Sequence, residues 1–336
     1  MSEVDTSLDD RRRGARRILM LGATGTIGRA TVRALLDRGH EVVCFLRPRA
    51  GDSAPVDLPD QAILRFGDVT DAPSLRETGV RGERFDALVS CLASRTGAPK
   101  DAWAIDHQAH MNALSVAKDA GIPQMVLLSA ICVQKPVLEF QRAKLAFEEA
   151  LIGSGLTYSI VRPTAFFKSL SGQIDRVRAG KPYLVFSDGR LTACKPISDR
   201  DLAAFIADCL EDREKQNRVL PIGGPGPAIT PIEQGERLFA LTGREARFRH
   251  VPVGFLSAVI AVLSTLGRII PRLKDKAELA RIARYYATES MLVLNEHTGQ
   301  YDAPATPETG RDTLFDFYER VLSDGVSVDR GDHAVF

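Results

Sequence analysis

The sequence predicts an α/β protein, a doubly wound parallel sheet with helices on both faces and a smaller C-terminal lobe. Two observations predict it. The first is a set of closely spaced glycines, Gly22-Ala23-Thr24-Gly25-Thr26-Ile27-Gly28, which follows the apolar Ile18-Leu19-Met20-Leu21 and opens a helical pattern reaching Arg38-Gly39. The second is a repeated alternation of short β-rich apolar runs with helical patterns through the first half of the chain, as strand–helix–strand crossovers require.

Taken in order, residues 18–21 make the first strand, and the helix over 27–38 carries Leu35-Leu36 on its apolar side and stops at Gly39. Residues 41–46 form the second strand and close a unit of about 30 residues, the size of a right-handed parallel crossover. Residues 62–66 run into Gly67-Asp68-Val69, and 71–78 has helical character with Asp71 in the N-cap position. The next buried run is 85–92, followed by a long helix over 102–120 that ends at Gly121-Ile122-Pro123. Strand 124–129, helix 140–153 and strand 157–163, which ends on a proline, complete six strands. In the second half a short helix is expected over 174–179, and 182–187 could pair with 191–196 around Asp188-Gly189. Ser198-Asp199 caps a helix to Leu210, 218–222 is one more strand, and Thr230-Pro231 caps a helix through Leu241. No repeat or low-complexity segment is present. The expected division is a tail over 1–16, a nucleotide-binding domain over 17–165 to which 197–222 returns, a substrate lobe of 166–196 and 223–322, and a tail over 323–336.

Composition narrows the function classes. With 44 basic and 43 acidic residues the net charge is +1, so no global field favours nucleic acid, and no nucleic-acid partner is expected. Cys44, Cys91, Cys132, Cys194 and Cys209 are odd in number and never in C-x-x-C spacing, which argues against a disulfide framework and a zinc site. A reduced, cytoplasmic protein is expected. The first 17 residues hold an acidic patch, then Arg11-Arg12-Arg13 and Arg16-Arg17, without the apolar core of a signal peptide, and read as a mobile tail. Composition leaves the oligomeric state open.

Glycines between a strand and a helix place backbone N–H groups and the positive end of a helix dipole where a pyrophosphate can sit. The spacing is G-x-x-G-x-x-G, so residues further along the chain must confirm the site. A site for NAD wants a carboxylate about 20 residues after the loop, at the end of the second strand. Arg47 stands there instead, and a guanidinium can grip a 2′-phosphate with two hydrogen bonds, so the expected cofactor is NADPH. The alternative is a solvated strand-end arginine. Asp68 is placed to bind the adenine amino group with Val69 against the ring, or is an ordinary turn aspartate. The loop residues Gly22, Thr24, Gly25, Thr26, Ile27 and Gly28 complete this part of the expected cofactor site.

Gly-Ala-Thr-Gly-x-x-Gly, Arg47, Gly67-Asp68-Val69 and Arg162-Pro163-Thr164 together resemble the atypical short-chain dehydrogenase/reductases of the NmrA-like and isoflavone-reductase-like branch, which have a Rossmann-type sheet. Within that branch, Leu128-Ser129-Ala130-Ile131-Cys132-Val133-Gln134-Lys135-Pro136, Phe140-Gln141-Arg142-Ala143-Lys144 and Tyr286-Ala287-Thr288-Glu289-Ser290-Met291 are similar to the NADPH-dependent reductases of the 8-vinyl group of divinyl chlorophyllide. The resemblance spans residues 17–322. It implies that Lys144 holds the nicotinamide ribose, that Pro163, Thr164 and Phe166 flank the nicotinamide, and that Cys91, Leu92 and Ala93 border the same cofactor.

The sequence departs from the common pattern of short-chain reductases at one position. A Tyr-x-x-x-Lys pair puts a phenol and an ammonium on one helix face, and the phenol protonates a carbonyl oxygen. Here the spacing survives as Phe140-x-x-x-Lys144, and none of the six tyrosines is followed by lysine four residues on. A missing phenol fits reduction of a conjugated carbon–carbon double bond, where negative charge spreads over a macrocycle and no single oxygen needs a proton at once. Lys144 is the expected catalytic residue, its charge stabilising the developing anion. Direct hydride transfer to the 8-vinyl group of a tetrapyrrole is therefore the expected reaction in (bacterio)chlorophyll biosynthesis. An NADP(H)-binding redox sensor without turnover, and a reductase of another conjugated alkene or quinone, are the alternatives.

A flat apolar substrate calls for an apolar cleft, for which Phe140, Phe166 and Phe167 are the expected substrate contacts, with inter-lobe core the alternative for the last two. Residues 251–267 contain no charge and read as a buried or pocket-lining helix, with an interfacial contact at a photosynthetic membrane or a span as alternatives. His107 and His110 lack a third ligand at matching spacing, so no metal is expected, and Cys91 and Cys132 read as small buried residues.

Overall fold

Seven parallel strands form the central sheet of the computed structural model, which describes residues 14–48, 57–270 and 272–324. Arg11, Arg12, Arg13 and most of the expected C-terminal tail lie outside the described residues. The strands are β1 (Arg17–Leu21), β2 (Glu41–Leu46), β3 (Ile63–Phe66), β4 (Ala87–Ser90), β5 (Gln124–Leu128), β6 (Thr157–Pro163) and, beyond the separate β7 (Tyr183–Phe186), β8 (Arg218–Ile222). Their spatial order is β3-β2-β1-β4-β5-β6-β8. Registers such as Leu19 opposite Val43 on one side and Leu88 on the other set β1 between β2 and β4. This is the Rossmann-type doubly wound sheet that the alternating pattern predicts.

Helices α1 (Thr26–Asp37), α2 (His110–Asp119), α3 (Glu139–Ile152) and α4 (Asp199–Glu211) cover the sheet. Successive residues of a strand point to opposite faces. Ile18 and Met20 pack with Val32 and Leu35 of α1 and with Leu202, Ile206 and Leu210 of α4. Leu19 and Leu21 pack with Ala113 and Val116 of α2 and with Phe147 and Leu151 of α3. Because both faces are covered, β1 reads as an unbroken apolar run.

Helix starts follow their caps. Ser198 Oγ accepts from the Asp201 N–H at 3.0 Å and opens α4. The Thr230 N–H donates to Glu233 Oε2 at 2.7 Å, opening α5 (Pro231–Leu241) with a capping box. The expected helix over 102–120 is broken into a turn at Pro99–Ala102, a π-helical stretch at Trp103–Ala109, and α2. The wider turn alters the register that a uniform 3.6-residue period assumes, and both Asp106 and His110 face inward at 1% exposure.

Two expectations are corrected in the second half. Residues 182–187 and 191–196 do not form a hairpin: β7 pairs in parallel with β9 (Phe248–Val251), and Cys194 bridges to Ile229 and Met291. A two-residue primed turn needs positive φ at its first central residue, which would be Asp188. Here Ser187 (φ 54°) and Gly189 (φ 76°) adopt it on either side of Asp188. The charge-free stretch forms α6 (Val253–Leu266), and none of its residues is buried, so it is no core helix. It packs on α7 (Arg272–Thr288), and no described helix is long and apolar enough to cross a membrane. The lobe has its own core, in which Val177, Tyr183 and Phe239 meet Leu314 and Tyr318 of α8 (Leu314–Ser323).

Candidate nucleotide and active site

The strand order reverses direction beside β1, where β2 and β4 diverge, and this opens a crevice at the carboxyl ends of the strands. Backbone packing sets its floor. Gly22 has φ +76°, and a Cβ there would stand 2.5 Å from the carbonyl carbon of Cys91 and 2.6 Å from Leu92 N. A Cβ on Gly28 would stand 2.0 Å from the carbonyl oxygen of Gly22. Gly25 is the extended N-cap of α1, whose first turn has neither a side-chain cap nor an acidic residue, so its N–H groups remain to be satisfied by an anion. Thr24 and Gly25 are exposed and Thr26 is half-buried. The Ile27 side chain is committed to the core, leaving its backbone N–H as the group it can offer. This cradle fits a dinucleotide diphosphate. The Cys91 and Leu92 backbone packs against Gly22, Ala93 beyond them is exposed, and burial pushes the Cys91 thiol up to about 12, so it stays protonated.

Arg47 and Asp68 leave the neighbouring strands β2 and β3 side by side, both exposed. The Asp68 carboxylate accepts from Thr70 N at 2.9 Å and Thr70 Oγ1 at 2.7 Å. Those bonds, with the Arg47 guanidinium nearby, hold it below the usual carboxylate range. Val69 packs against the core, and Asn112 Nδ2 donates to the Thr70 carbonyl at 2.8 Å, tying the turn to α2.

At the other end of the crevice, Lys144 on α3 is held by Asp106, with Nζ 2.9 Å from Oδ1 and side-chain exposures of 11% and 0%. Ser94 N donates to the same oxygen at 3.3 Å. One turn further along, at the start of α2, His110 lies 2.8 Å from Ser90 Oγ through Nε2 and 3.0 Å from the Ile105 carbonyl through Nδ1. A carbonyl can only accept, so Nδ1 carries the proton and Nε2 accepts from the serine. Burial first, and then Lys144, push the His110 pKa down to about 4, so the ring is neutral.

Glu148 braces this region. It is buried, accepts from Arg162 Nε at 3.1 Å and from Ser129 Oγ, and so joins α3 to the ends of β5 and β6. Arg162 in the Arg162-Pro163-Thr164 motif therefore has a structural partner. The Thr164 hydroxyl donates to the Lys195 carbonyl, and Pro163 is buried at the end of β6. Phe140 is 9% exposed among Ala102, Cys132 and Ile282. Phe166 is half-buried and bridges to Ile197. Phe167 takes the core alternative: it is 5% exposed and packs 5.6 Å from Phe317 in the lobe core. From α7, Tyr286 brings its hydroxyl to 3.9 Å from Cys132 Sγ, and burial holds both groups protonated by raising their pKa values. His107 meets Trp103 edge-on with ring centroids 5.3 Å apart, and no group of three or more potential metal ligands occurs among the described residues.

The family described as NAD(P)H-binding matches residues 22–213, which span the glycine loop and the strands that frame the crevice. The chain is 52% identical over 332 residues to the chloroplastic divinyl chlorophyllide a 8-vinyl-reductase of Oryza sativa subsp. indica, an alignment covering 95% of this chain and 82% of the rice protein. The chain belongs to the divinyl chlorophyllide a 8-vinyl-reductase family. Solved structures share this 8-vinyl-reductase fold at low identity. The NADPH-dependent quinone oxidoreductase QOR2 of Escherichia coli, complexed with NADPH, has a TM-score of 0.65 at 17% identity, over 91% of this chain and 99% of that one. The leucoanthocyanidin reductase of Vitis vinifera, in its binary complex with NADPH, has a TM-score of 0.65 at 16% identity, over 91% and 99%.

Three site residues of this 8-vinyl-reductase family member escape sequence reasoning. Asp106 and Glu148 carry no motif, and only their burial marks them. Lys168, just after Phe166-Phe167, donates from Nζ to Thr26 Oγ1 at 2.8 Å and so brings a cation from the lobe to the first turn of α1. A lysine five residues after the end of the sixth strand is the one signal the sequence offers for it.

Proposed function

We propose that this protein reduces the 8-vinyl group of divinyl chlorophyllide a, or of divinyl protochlorophyllide, to ethyl with NADPH, in (bacterio)chlorophyll biosynthesis. The observation that carries the reaction type is the pair at the crevice: Lys144 is held in place by Asp106, while four residues earlier Phe140 fills the position of the usual phenol. The whole-length likeness to the rice reductase supports the substrate.

NADPH, when bound, supplies the hydride. Gly22, Thr24, Gly25, Thr26, Ile27 and Gly28 hold its diphosphate, with Cys91, Leu92 and Ala93 as the facing wall. Arg47 selects the 2′-phosphate, and Asp68 and Val69 receive the adenine. Lys144 binds the nicotinamide ribose, and Pro163, Thr164 and Phe166 border the nicotinamide. The Lys144 ammonium also faces the negative charge that spreads over the macrocycle, although the adjoining Asp106 offsets part of its field. With phenylalanine at 140 no side chain there protonates a carbonyl oxygen, which disfavours ketones. Water or a side chain bordering the cleft delivers the proton to carbon. An apolar macrocycle also places the protein, in the cytoplasm, at the surface of the photosynthetic membrane.

Purified protein incubated with NADPH and divinyl chlorophyllide a is expected to yield the 8-ethyl pigment by chromatography. Unchanged pigment in protein that binds both partners would refute the reading in favour of a sensor. Turnover of quinones or other conjugated alkenes, with the vinyl group untouched, would move it to another reductase.

A further inference from the structure

The α6–α7 hairpin carries an apolar surface that the fold leaves uncovered. The 14 residues of α6 include no charge, and its exposed positions fall on one stripe at helical spacing: Phe255, Ala258, Ala261, Val262 and Leu266, with Gly254 and Thr265 beside them. Ile269 and Ile270 continue it past the helix end. Phe255 is 60% exposed, Val262 57% and Ile269 82%. A helix of a soluble lobe normally sets a polar face against its buried apolar one; this one is apolar on both sides, with Leu256, Val259, Ile260 and Leu263 half-buried and the stripe from Phe255 to Leu266 left outward.

Cations surround the tip. Between Gly267 and Arg281 the sequence has five basic residues and two acidic ones. Arg268, Lys274 and Lys276 are exposed and take part in no ion pair among the described residues, while Arg281 is paired with Glu278 at 3.0 Å. An apolar ridge rimmed by basic side chains has the chemistry of an interfacial anchor, with the ridge about 5–10 Å into the headgroup–acyl boundary and the cations on anionic headgroups. At about 1.5 Å per residue α6 is too short to span a bilayer, so it lies in the interface. Pairing with a second copy through the same ridge would bring two basic rims together, which like charge disfavours.

We propose that the tip of the α6–α7 hairpin docks this protein on an anionic lipid bilayer, with Phe255, Val262, Leu266 and Ile269 inserted and Arg268, Lys274 and Lys276 on the headgroups. Asp275, in the first turn of α7, also lines a groove of about 470 Å³ with Arg95, Lys100 and Asp101. Across the groove the chain runs through Gly97, which packs near Phe140 and Ile282. A docked tip therefore sets this groove beside the bilayer, where a membrane-dissolved macrocycle can reach the region of Lys144. That last consequence rests on the proposed reaction, whereas the docking does not.

The test is co-sedimentation of the full-length protein, without pigment, with vesicles of phosphatidylcholine alone and of phosphatidylcholine with phosphatidylglycerol. Binding to the anionic vesicles only, weakening with salt, is expected. The double variant Val262→Asp with Ile269→Asp is expected to lower that binding about tenfold or more while thermal stability and NADPH affinity stay unchanged, because both side chains are exposed. Protein that remains in the supernatant with both vesicles overturns the proposal, as does undiminished binding by the double variant. A dimer in light scattering that the double variant dissociates would assign the ridge to a second copy and also overturn it.

Discussion

Gly28→Ala asks whether the diphosphate cradle is fixed by backbone packing. Built on the observed backbone, the new methyl group lies 2.0 Å from the Gly22 carbonyl oxygen, 2.9 Å from its carbon and 3.0 Å from Ala23 Cα. Every obstacle is main chain, so no side chain can rotate away. To reach the 3.4 Å of an ordinary contact, the start of α1 must retreat by about 1.4 Å from the loop. A misplacement near 1 Å costs roughly a hundredfold in a positioned site, and overpacking costs about 1–3 kcal/mol of stability. The expected result is therefore an NADPH dissociation constant about a hundred times higher, about 2.7 kcal/mol, together with a lower urea midpoint. Gly25→Ala is the counterpart. Its methyl has only the Gly22 carbonyl oxygen nearby, at 3.6 Å, and its φ of −71° suits alanine. It should leave the urea midpoint unchanged and affect only the bound anion. Fluorescence titration with NADPH and urea unfolding on both variants decide the matter. A Gly28→Ala protein that unfolds at the parent midpoint and binds NADPH within about threefold of the parent would refute the argument.

Arg47→Asp should weaken NADPH by about 1.5–3 kcal/mol and spare NADH, since the lost bonds go to the 2′-phosphate; equal weakening of both in a titration would count against the assignment. Lys168→Met should raise the NADPH dissociation constant several-fold and flatten its salt dependence, with Lys168→Arg restoring both; unchanged affinity would make the Thr26 contact incidental. Lys144→Ala is expected to lower turnover by about 10²–10³, while Asp106→Ala, which strands a buried ammonium, should cost about 3–5 kcal/mol in urea unfolding. For His110 the folded pKa of about 4 lies below the ordinary 6.5, so the unfolded chain binds the proton first as pH falls. Its contribution is complete above pH 6.5 and is lost between there and pH 4, roughly 3 kcal/mol in all. Unfolding of His110→Gln should show that much less acid sensitivity in this window, and identical pH profiles would remove the assignment.

The parts of this fold legible in sequence are those written in local pattern. β1 shows as Ile18 to Leu21 because both its faces are covered, and Ser198 and Thr230 announce α4 and α5 because a cap acts within one turn. The cradle was legible because only glycine fits at Gly22 and Gly28. What stayed hidden depends on contacts between distant segments. Asp106 meets Lys144 from 38 positions away, through a π-helical turn that no 3.6-residue period anticipates. Lys168 reaches Thr26 across 142 positions. For α6, hydropathy signals an apolar helix and is silent about which side the protein covers. Phe166 and Phe167 are adjacent and chemically identical, and their separation into the core of the parallel sheet and the core of the lobe comes at the start of the turn Phe167–Leu170.

The late arrival of α4 and β8 has a consequence for the order in which the chain can become stable. Ile18, Met20, Val32 and Leu35 are shielded on their face by Leu202, Ile206 and Leu210, and β6 gains its outer neighbour only when residues 218–222 exist. A nascent chain that stops at Pro163 has all six earlier strands, yet one face of their sheet is only partly roofed. Such a fragment exposes the most apolar stretch of β1 and β2 and is open to capture by chaperones or by its own kind. Synthesis must therefore run through the lobe insertion to Ile222 before the nucleotide-binding half can close, and a C-terminal truncation before that point should yield aggregate in place of a smaller NADPH-binding domain.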